Sequence, residues 1–232
     1  MTIIIPLLQK TKQVILANGS FPKHKIPLTY LKKAKKIICC NGGGQNLIEH
    51  GLNPNFIIGD MDSISNSMIE QFHFQIIKNS SQNINDLTKA LNFCFIKKAW
   101  TEITIVGATG KREDHTLGNI SILTKFARFM KIQLLTDYGV FVAIEKTTTF
   151  ESYPGQQVSV FSLTPNINIS YIDLVYPLQN QPLHYWWEGT LNEALKNNFT
   201  IEINYLHSQK KSAKILVFRE YLKNKNSIDS KL

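Results

Sequence analysis

The sequence has few cysteines, fewer acidic than basic residues, and no long apolar run. Its three cysteines, Cys39, Cys40 and Cys94, are odd in number, lie in apolar segments and show no CxxC spacing. Neither a disulfide framework nor a zinc site is therefore indicated, and we predict that all three are core residues. No apolar segment approaches the length needed to cross a bilayer, and residues 3–8 lack a basic leader and a cleavage site. We therefore expect a cytoplasmic protein without a membrane partner.

The charge balance is basic, with 26 Lys and Arg against 17 Asp and Glu and a formal net charge of +9. Such a charge attracts polyanions, whether a nucleotide or a nucleic acid. The basic residues are spread along the chain without interleaved aromatics, and no helix-turn-helix, zinc-finger or RNP pattern is present. We therefore interpret them as a solvated lysine-rich surface and expect no nucleic-acid partner.

The first part of the chain alternates short apolar runs with helical patterns. With 232 residues and 43% hydrophobic content, the chain can bury one large core or two modest ones. The alternation continues through roughly the first 140 residues and is typical of βαβ units in a mostly parallel sheet. The predicted strands are residues 13–17, 36–40, 56–58, 74–77, 102–106 and 131–135, and the predicted helices are residues 28–34, 45–50, 66–71, 86–99 and 116–129.

After about residue 147 the sequence changes to short segments rich in Val, Ile, Phe and Tyr, separated by Pro, Gly and Asn. Residues 157–163 alternate between apolar and polar positions, and residues 200–205 and 214–220 are predicted to pair with each other. We therefore expect a mostly parallel α/β domain with three layers over residues 1–146 and a smaller all-β domain over residues 147–232.

Two carboxylates follow a predicted strand in the segment GDMDS. Asp60 and Asp62 come directly after the apolar run 56–58. An extended chain points residues i and i+2 to the same side, and ligands of open α/β sheets bind beyond the carboxyl ends of the strands. Both side chains are thus placed to share one Mg²⁺, which takes protein carboxylates together with phosphate oxygens. The alternative is a polar turn in which one acid caps the helix that follows.

A glycine-rich turn follows the predicted strand 36–40 in the segment CCNGGGQNL. Asn41 and three glycines, Gly42, Gly43 and Gly44, precede a short helix. Glycines let the backbone approach a ligand closely, and N–H groups at a helix start suit phosphate or ribose. A tight turn that needs positive φ explains the triplet equally well, and the segment is neither a P-loop nor a GxGxxG fingerprint.

Two more helix starts carry charged side chains. Asp86 is the first residue of the predicted helix 86–99 and follows Asn85, a candidate N-cap. Taken alone, Asp86 is explained by its favourable interaction with the helix dipole. The loop GATGKREDHTLGN follows the predicted strand 102–106 and combines glycines with cations and a carboxylate. Its candidate functional side chains are Lys111, Arg112, Asp114, His115 and Asn119.

In a parallel sheet, all of these segments lie after strands or at helix starts, and therefore at one edge. Acids hold a metal ion, while cations and backbone N–H groups take phosphates. The combination suits a complex of Mg²⁺ with a nucleoside triphosphate.

Five ordered motifs resemble those of the thiamine pyrophosphokinase family, also called thiamine diphosphokinase. The family's motifs are, in order, ANGxFP, CxDGGANxL, GDxDSI, TD or ND before KAL, and GxxGGRxDH with a later Asn. The corresponding segments of this chain are, in the same order, ANGSFP, CCNGGGQNL, GDMDSI, NDLTKAL, and GATGKREDH with Asn119. The resemblance covers most of the chain. It implies an N-terminal α/β domain, a β-sandwich domain, and a homodimer with thiamine bound near the interface.

The resemblance also implies transfer of the terminal pyrophosphoryl group of ATP to the hydroxyethyl oxygen of thiamine, giving AMP and thiamine diphosphate. ATP is then expected on residues 1–146 and thiamine on residues 147–232. The implied Mg²⁺ ligands are Asp60, Asp62 and Asp86, and Asp114 is a further catalytic acid. The implied nucleotide-side residues are Asn41, Gly42, Gly43, Gly44, Ser63, Lys111, Arg112, His115 and Asn119, and the implied thiamine-side residues are Trp187, Thr190 and Asn192.

Several positions depart from the family pattern. Asn41 stands where the family usually has Asp, and Ser81 and Asn83 stand where acids are common. Mg²⁺ is therefore expected to depend more heavily on Asp60, Asp62 and Asp86. The segment GTLNE resembles the family's GxSNE, but Leu191 replaces the Ser.

Other classes of protein remain open. A pyrophosphokinase acting on another alcohol, such as a pterin, is hard to separate by sequence, although the GxSNE-like segment favours thiamine. A haloacid-dehalogenase-like phosphatase would use Asp60 as its nucleophile, but its small-residue loop and downstream Lys are not evident. A basic nucleic-acid-binding protein would show steeply salt-dependent binding that Asp60→Asn does not change.

Overall fold

The structure is a computed structural model that describes residues 3–97, 100–164, 166–205 and 212–221. The chain forms two compact units. The first contains residues 10–137 and 141–143, and the second contains the described residues among 1–9, 138–140 and 144–232. The functional boundary expected after residue 146 stays a prediction.

The described residues form short strands and helices. The strands are β1 (Ile3–Ile5), β2 (Gln13–Leu16), β3 (Lys36–Cys40), β4 (Phe56–Gly59), β5 (Ile76–Lys78), β6 (Glu102–Val106), β7 (Lys131–Leu135), β8 (Gly139–Ile144), β9 (Thr148–Glu151), β10 (Gln157–Ser162), β11 (Asn168–Ile172), β12 (Asn192–Glu193), β13 (Asn198–Asn204) and β14 (Ile215–Glu220). The helices are α1 (Lys25–Lys33), α2 (Gly43–Glu49), α3 (Asn66–Gln71), α4 (Asp86–Ile96), α5 (Glu113–Ser121) and α6 (Leu123–Phe126), with 3₁₀ turns at His73–Gln75 and Trp186–Gly189. Over the described part of the chain, no helix has the length and apolar character that a membrane span requires.

Parallel strands form the centre of the first unit. Among its described residues, six strands pair in the order β7-β6-β2-β3-β4-β5, and every neighbouring pair is parallel. The strand interiors are almost entirely buried, which explains why they appear in the sequence as continuous apolar runs. Along the chain, β3, β4 and β5 are added in turn on one side of β2, and β6 and β7 then follow on its other side. The expectation of a mostly parallel α/β fold is confirmed.

Helix α4 begins where its sequence predicts. The Asn85 side chain accepts a hydrogen bond from the backbone N–H of Thr88 at 2.9 Å, so Asn85 is the N-cap. Leu91 and Cys94 lie on the buried face of the helix. Residues 98–99, which the predicted helix included, lie outside the described residues.

Several predicted elements of the first unit have the wrong limits. The helices predicted at 28–34 and 45–50 are α1 (Lys25–Lys33) and α2 (Gly43–Glu49), which both begin earlier. The strand predicted at 74–77 begins only at Ile76, because His73–Gln75 form a 3₁₀ turn. The helix predicted at 116–129 begins at Glu113 and is divided into α5 and α6. Acidic side chains in the first turn of α5 favour the earlier start, since they lie at the positive end of the helix dipole.

The three cysteines are core residues, as predicted. Cys39, Cys40 and Cys94 are free thiols and are buried. Burial disfavours the thiolate and raises the pKa of each, to about 12 for Cys94.

The second unit is a β domain, as expected. β1, β9, β13 and β11 form one sheet in that order, and β10 pairs with β12 and β14 in another. Buried positions alternate with more accessible ones along β10 and β13, which is the pattern of strands with one covered face. Phe150 and Phe199 stack between neighbouring strands with ring centroids 5.1 Å apart.

The pairing predicted between residues 200–205 and 214–220 is wrong. These segments lie in different sheets, because β13 pairs with β9 and β11 whereas β14 pairs with β10. Alternating hydrophobicity shows which face of a strand is buried, but it does not identify the neighbouring strand.

A buried cation connects the two sheets of the second unit. Arg219 of β14 is 1% exposed, and its guanidinium donates to the backbone oxygens of Glu151 at 2.8 Å and Pro6 at 3.0 Å. The same group lies 5.0 Å from the ring centroid of Phe150. Burial lowers the Arg219 pKa to about 10, although the negative charge of Glu151 acts in the opposite direction. The buried guanidinium is therefore engaged by two backbone oxygens and by one aromatic ring.

We expect Arg219→Met to lower the free energy of unfolding by about 2–4 kcal/mol, because it removes two hydrogen bonds and a cation–π contact that a buried side chain makes. Chemical denaturation measures the change. Lys214→Met, which removes an exposed cation beside the same strand, is the control and should change stability little. Equal stabilities of the two variants would contradict this role for Arg219.

Candidate active site

A cleft opens at the carboxyl edge of the parallel sheet, where the strand order reverses between β2 and β6. Its volume is about 560 Å³, and its lining comes from the first unit. The loops after β2 and β6 are joined by backbone hydrogen bonds, from Gly19 N–H to the Gly107 oxygen at 2.6 Å and from Ser20 N–H to the Thr109 oxygen at 2.8 Å. Open α/β sheets bind ligands at such switch points.

Most of the nucleotide-side and metal residues predicted from sequence lie in this cleft. Gly42, Gly43, Gly44 and Asp114 are the predicted residues of the first unit that do not line it. Those that do are Asn41, Asp60, Asp62, Ser63, Asp86, Lys111, Arg112, His115 and Asn119. The lining contains three aspartates and, as cations, two lysines and one arginine. One of the lysines, Lys89, was not predicted.

Asp60 and Asp62 converge for a different reason from the one expected. Strand β4 ends at Gly59, so the two acids do not lie on an extended segment. Met61 between them has φ 73°, in the left-handed region that residues other than glycine seldom adopt. The turn at Met61, and not strand alternation, brings both carboxylates to one side.

The two carboxylates share one amide donor. Asn41 Nδ2 donates to Asp60 Oδ1 at 2.9 Å and to Asp62 Oδ1 at 2.6 Å, and it lies 3.5 Å from Ser63 Oγ. Ser63 Oγ in turn donates to Asp62 Oδ1 at 2.8 Å. Asn41 therefore contacts the acid pair directly.

Hydrogen bonding favours the charged form of Asp60. Burial acts to raise its pKa, but hydrogen bonds from Asp62 and Gln82 and the charge of Lys89 outweigh burial, so the pKa lies below its ordinary value. Gln82 Nε2 lies 3.3 Å from Asp60 Oδ2. Gln82 was not predicted, although it stands between Ser81 and Asn83, where the family commonly has acids.

Two glycines of the triplet, Gly43 and Gly44, serve packing against the strands. A Cβ on Gly43 would lie 3.0 Å from the backbone oxygens of Leu16 and Ala17, and one on Gly44 would lie 2.9 Å from Ile57 Cδ1. Positive φ is found at Asn41 and not at the three glycines. The glycines let α2 approach the neighbouring strands closely, and their predicted contact with a nucleotide stays a prediction.

Asp86 has a cationic partner that sequence reasoning missed. Lys89 Nζ lies 2.8 Å from Asp86 Oδ1, and the Lys89 side chain is 2% exposed. An acid followed by a base three residues later in a helix is the signal that predicts this pair. A lysine so deeply buried requires such a partner, because an unpaired buried charge is costly.

The loop after β6 contributes two kinds of residue. Lys111 Nζ lies 3.3 Å from Asn18 Oδ1 and faces the cleft. Asn119 Nδ2 donates to the Ala108 oxygen at 2.9 Å, while its Oδ1 accepts from Asn85 at 3.2 Å. Asn119 therefore joins the loop to the start of α4, and both ends of its amide are already engaged.

Asp114 is paired with Arg112. The guanidinium binds both carboxylate oxygens, with Nε 3.1 Å from Oδ1 and Nη2 2.6 Å from Oδ2. The backbone N–H of His115 also donates to Asp114 Oδ1 at 2.9 Å. Hydrogen bonding from Arg112 is the main cause that lowers the Asp114 pKa to about 2.

The predicted thiamine-side residues lie in the second unit. Trp187 is 71% exposed and stacks on Tyr185 with ring centroids 6.4 Å apart. Thr190 Oγ1 donates to the Trp187 oxygen at 2.7 Å. The Asn192 amide is buried and exchanges hydrogen bonds with the backbone of Tyr176, donating at 2.7 Å and accepting at 3.0 Å. Trp187 is therefore the accessible member of the three, whereas the other two support the local backbone.

Leu191 is held in an unusual conformation beside these residues. It has φ 61° and is 78% exposed. A bulky residue with positive φ marks local strain, which concentrates at functional segments. This residue replaces the Ser of the family's GxSNE pattern.

Comparisons with known proteins match both units to the same family. The family model described as thiamin pyrophosphokinase, catalytic domain, matches residues 28–135, and the model described as thiamin pyrophosphokinase, substrate-binding domain, matches residues 139–206. Thiamine pyrophosphokinase 1 of Oryza sativa subsp. japonica is 25% identical in an alignment of 202 residues that covers 74% of this chain and 75% of the relative. Thiamine pyrophosphokinase 1 of Arabidopsis thaliana is 24% identical in an alignment of 221 residues that covers 82% of this chain and 81% of the relative.

Solved structures share the fold. The thiamin pyrophosphokinase from Candida albicans has a TM-score of 0.73 at 20% identity, with 94% of this chain and 92% of that chain covered. The yeast thiamin pyrophosphokinase has a TM-score of 0.74 at 18% identity, with 94% and 91% covered. The two-domain architecture is therefore shared.

We expect the Asp114 carboxyl to titrate near pH 2, and Arg112→Gln to raise its pKa toward the ordinary value of 3.8. Because the folded pKa is the lower one, the pair's contribution to stability is present above pH 3.8 and is lost as the pH falls toward 2. Carbon-detected NMR of the side-chain carboxyl measures the titration. Lys111→Gln is the control, and an equal shift in both variants would contradict the pairing.

Proposed function

This chain belongs to the thiamine pyrophosphokinase family and is therefore a transferase, and we propose that it transfers the terminal pyrophosphoryl group of ATP to the hydroxyl group of thiamine. The products are AMP and thiamine diphosphate. The observation that carries the proposal is the cleft at the switch point, where acids and cations meet within the match to the family's catalytic domain. Acids for a metal ion and cations for phosphates are what a nucleoside triphosphate requires.

We propose that Asp60 and Asp62 hold Mg²⁺ in this cleft. The residues fit the ion, because two carboxylate oxygens already converge on one atom, Asn41 Nδ2, and the oxygen of Ser63 lies beside them. Hard oxygen donors of this kind suit Mg²⁺, which commonly takes one or two protein carboxylates and completes its shell with phosphate and water oxygens. When bound, Mg²⁺ neutralises part of the charge of the triphosphate.

Asp86 is the third acid of the proposed site. Its carboxylate accepts from Lys89, and over the described residues no group of three His, Cys, Asp or Glu side chains is close enough to hold a metal ion. We therefore assign Asp60 and Asp62 as the direct ligands, and we propose that Asp86 reaches the ion only if Lys89 moves to a phosphate. This ligand assignment is a proposal for the substrate-bound enzyme.

We propose that Lys111, Arg112 and His115 bind the phosphate chain. They line the side of the cleft formed by the loop after β6 and the start of α5. Arg112 is bound to Asp114 in the structure, so phosphate binding would exchange one bidentate partner for another. Asp114 thereby holds the guanidinium in a defined position before the nucleotide arrives.

The reaction needs positioning more than acid–base chemistry. Release of AMP requires the thiamine oxygen to bond to the β-phosphorus while the bond from that phosphorus to the AMP oxygen breaks, and the hydroxyl proton passes to water. Negative charge moves toward AMP during this step, and cations fixed in a cleft stabilise it without reorganising. We assign most of the rate enhancement to alignment and charge neutralisation, and none to a dedicated base.

We propose that the second unit binds thiamine through Trp187. Its ring is exposed and braced by Tyr185, so one aromatic face is available for a cationic thiazolium ring. Thr190 and Asn192 would act by holding this segment in place. We further propose a homodimer, supported by the exposed apolar side chains of Trp187, Leu191 and Leu195. The cytoplasmic location stays a prediction.

Incubation of the purified protein with Mg²⁺, ATP and thiamine should produce AMP in step with thiamine diphosphate. Chromatography of nucleotides and thiamine species measures both products, and reactions without thiamine are the control. A panel of other alcohols, including a pterin, tests the acceptor. Production of ADP, or AMP release that does not depend on thiamine, would refute the proposed reaction.

Asp60→Asn and Asp62→Asn should each lower turnover by roughly two orders of magnitude or more, since each removes a charge from the proposed ion site. Steady-state kinetics at several Mg²⁺ concentrations, with circular dichroism to verify folding, measure the effect. Glu70→Gln removes an exposed carboxylate from the neighbouring helix α3 and is the matched control. Full activity in either aspartate variant would remove that residue from the mechanism.

A further inference from the structure

The Asn41 side chain occupies the point where the two aspartates converge. Its Nδ2 lies 2.9 Å from Asp60 Oδ1 and 2.6 Å from Asp62 Oδ1, and the residue is only 4% exposed. A primary amide has two N–H donors, so each carboxylate receives one. The amide nitrogen thus engages the oxygens that the proposed cation would use.

The orientation of this amide is determined by the anions around it. Asn41 Oδ1 is buried and has no hydrogen-bond partner among the described residues. The reversed amide would place that oxygen against two negatively charged oxygens. The contact with both carboxylates is therefore retained even though it leaves a buried acceptor unsatisfied.

The backbone also holds Asn41 in position. Its φ of 44° lies in the left-handed region, which asparagine, aspartate and glycine tolerate better than other residues. Gly59 leaves room for the side chain, because a Cβ at that position would lie 2.9 Å from Asn41 Cβ. The amide is consequently fixed between the end of β3 and the turn after β4.

We infer that Asn41 is a positioning residue that holds Asp60 and Asp62 together without a cation, so that the divalent ion enters the cleft with the nucleotide and not ahead of it. The amide reduces the repulsion between the carboxylates by donating to both, and it competes with a metal ion for the same oxygens. An aspartate at this position would instead place three carboxylates together and require a cation. The inference rests on the proposed cation site but not on the identity of the acceptor alcohol.

The first test titrates Mn²⁺, as a spectroscopic probe, into nucleotide-free protein and follows free Mn²⁺ by electron paramagnetic resonance. Asn41→Asp should bind Mn²⁺ at least about tenfold more tightly than the natural chain, because a third carboxylate within a few ångströms attracts the ion strongly. Asn197→Asp makes the same substitution at an exposed turn of the second unit and should bind like the natural chain. Equal binding by the natural chain and Asn41→Asp would overturn the inference.

Asn41→Gly provides a second variant without added charge. Glycine accepts the positive φ and removes the competing amide, so this variant should bind Mn²⁺ with an affinity between those of the natural chain and Asn41→Asp. Weaker binding by Asn41→Gly than by the natural chain would show that the amide assists the cation, which contradicts the inference.

Thermal unfolding gives a readout that does not depend on turnover. The midpoint of the natural chain should not change with Mg²⁺ alone, whereas Asn41→Asp should unfold at a lower temperature without Mg²⁺ and recover when it is added. A natural chain that Mg²⁺ alone stabilises as much as the variant would overturn the inference. These measurements use neither ATP nor thiamine, so they remain interpretable even if no thiamine diphosphate is formed.

Discussion

The parallel pairing of β2 with β3 on one side and β6 on the other is the constraint on which the site depends. It brings the loops after these strands to one edge of the sheet, and a hydrogen bond from the Gly19 N–H to the Gly107 oxygen continues the contact beyond the strand ends. Because the backbone ladder sets these positions, the loops are free to carry reactive side chains without loss of the core. The cleft therefore follows from the strand order.

Hydrogen bonds and an ion pair within the protein hold the three carboxylates of the cleft in place before any substrate arrives. Asp60 and Asp62 accept from the Asn41 amide, and Asp86 accepts from Lys89. Such bonds lower the cost of keeping several negative charges close together, and they fix the oxygens in place, which is the form of electrostatic preorganisation that catalysis uses. They also mean that a ligand must exchange partners on entering the cleft, so binding involves rearranged hydrogen bonds in addition to new ones.

Local patterns in the sequence predicted much of the first unit. The strands at 36–40, 102–106 and 131–135 have the predicted limits, because a strand buried on both faces is a continuous apolar run. Strand pairing in the second unit was harder to predict from the sequence. Several of its strands were not predicted, and β13 and β14 were paired wrongly, since period-2 alternation gives the buried face but not the neighbour.

The sequence by itself determined the chemistry of the site: acids after one strand, cations after another, and the edge of the sheet at which they meet. The tertiary structure decided which atoms touch. It showed that the turn at Met61 aligns Asp60 with Asp62, that Gly43 and Gly44 pack against neighbouring strands, and that Asn41 contacts the acid pair. The reason is that residue type and spacing encode local conformation and charge, whereas a hydrogen bond between segments some twenty residues apart depends on how those segments pack.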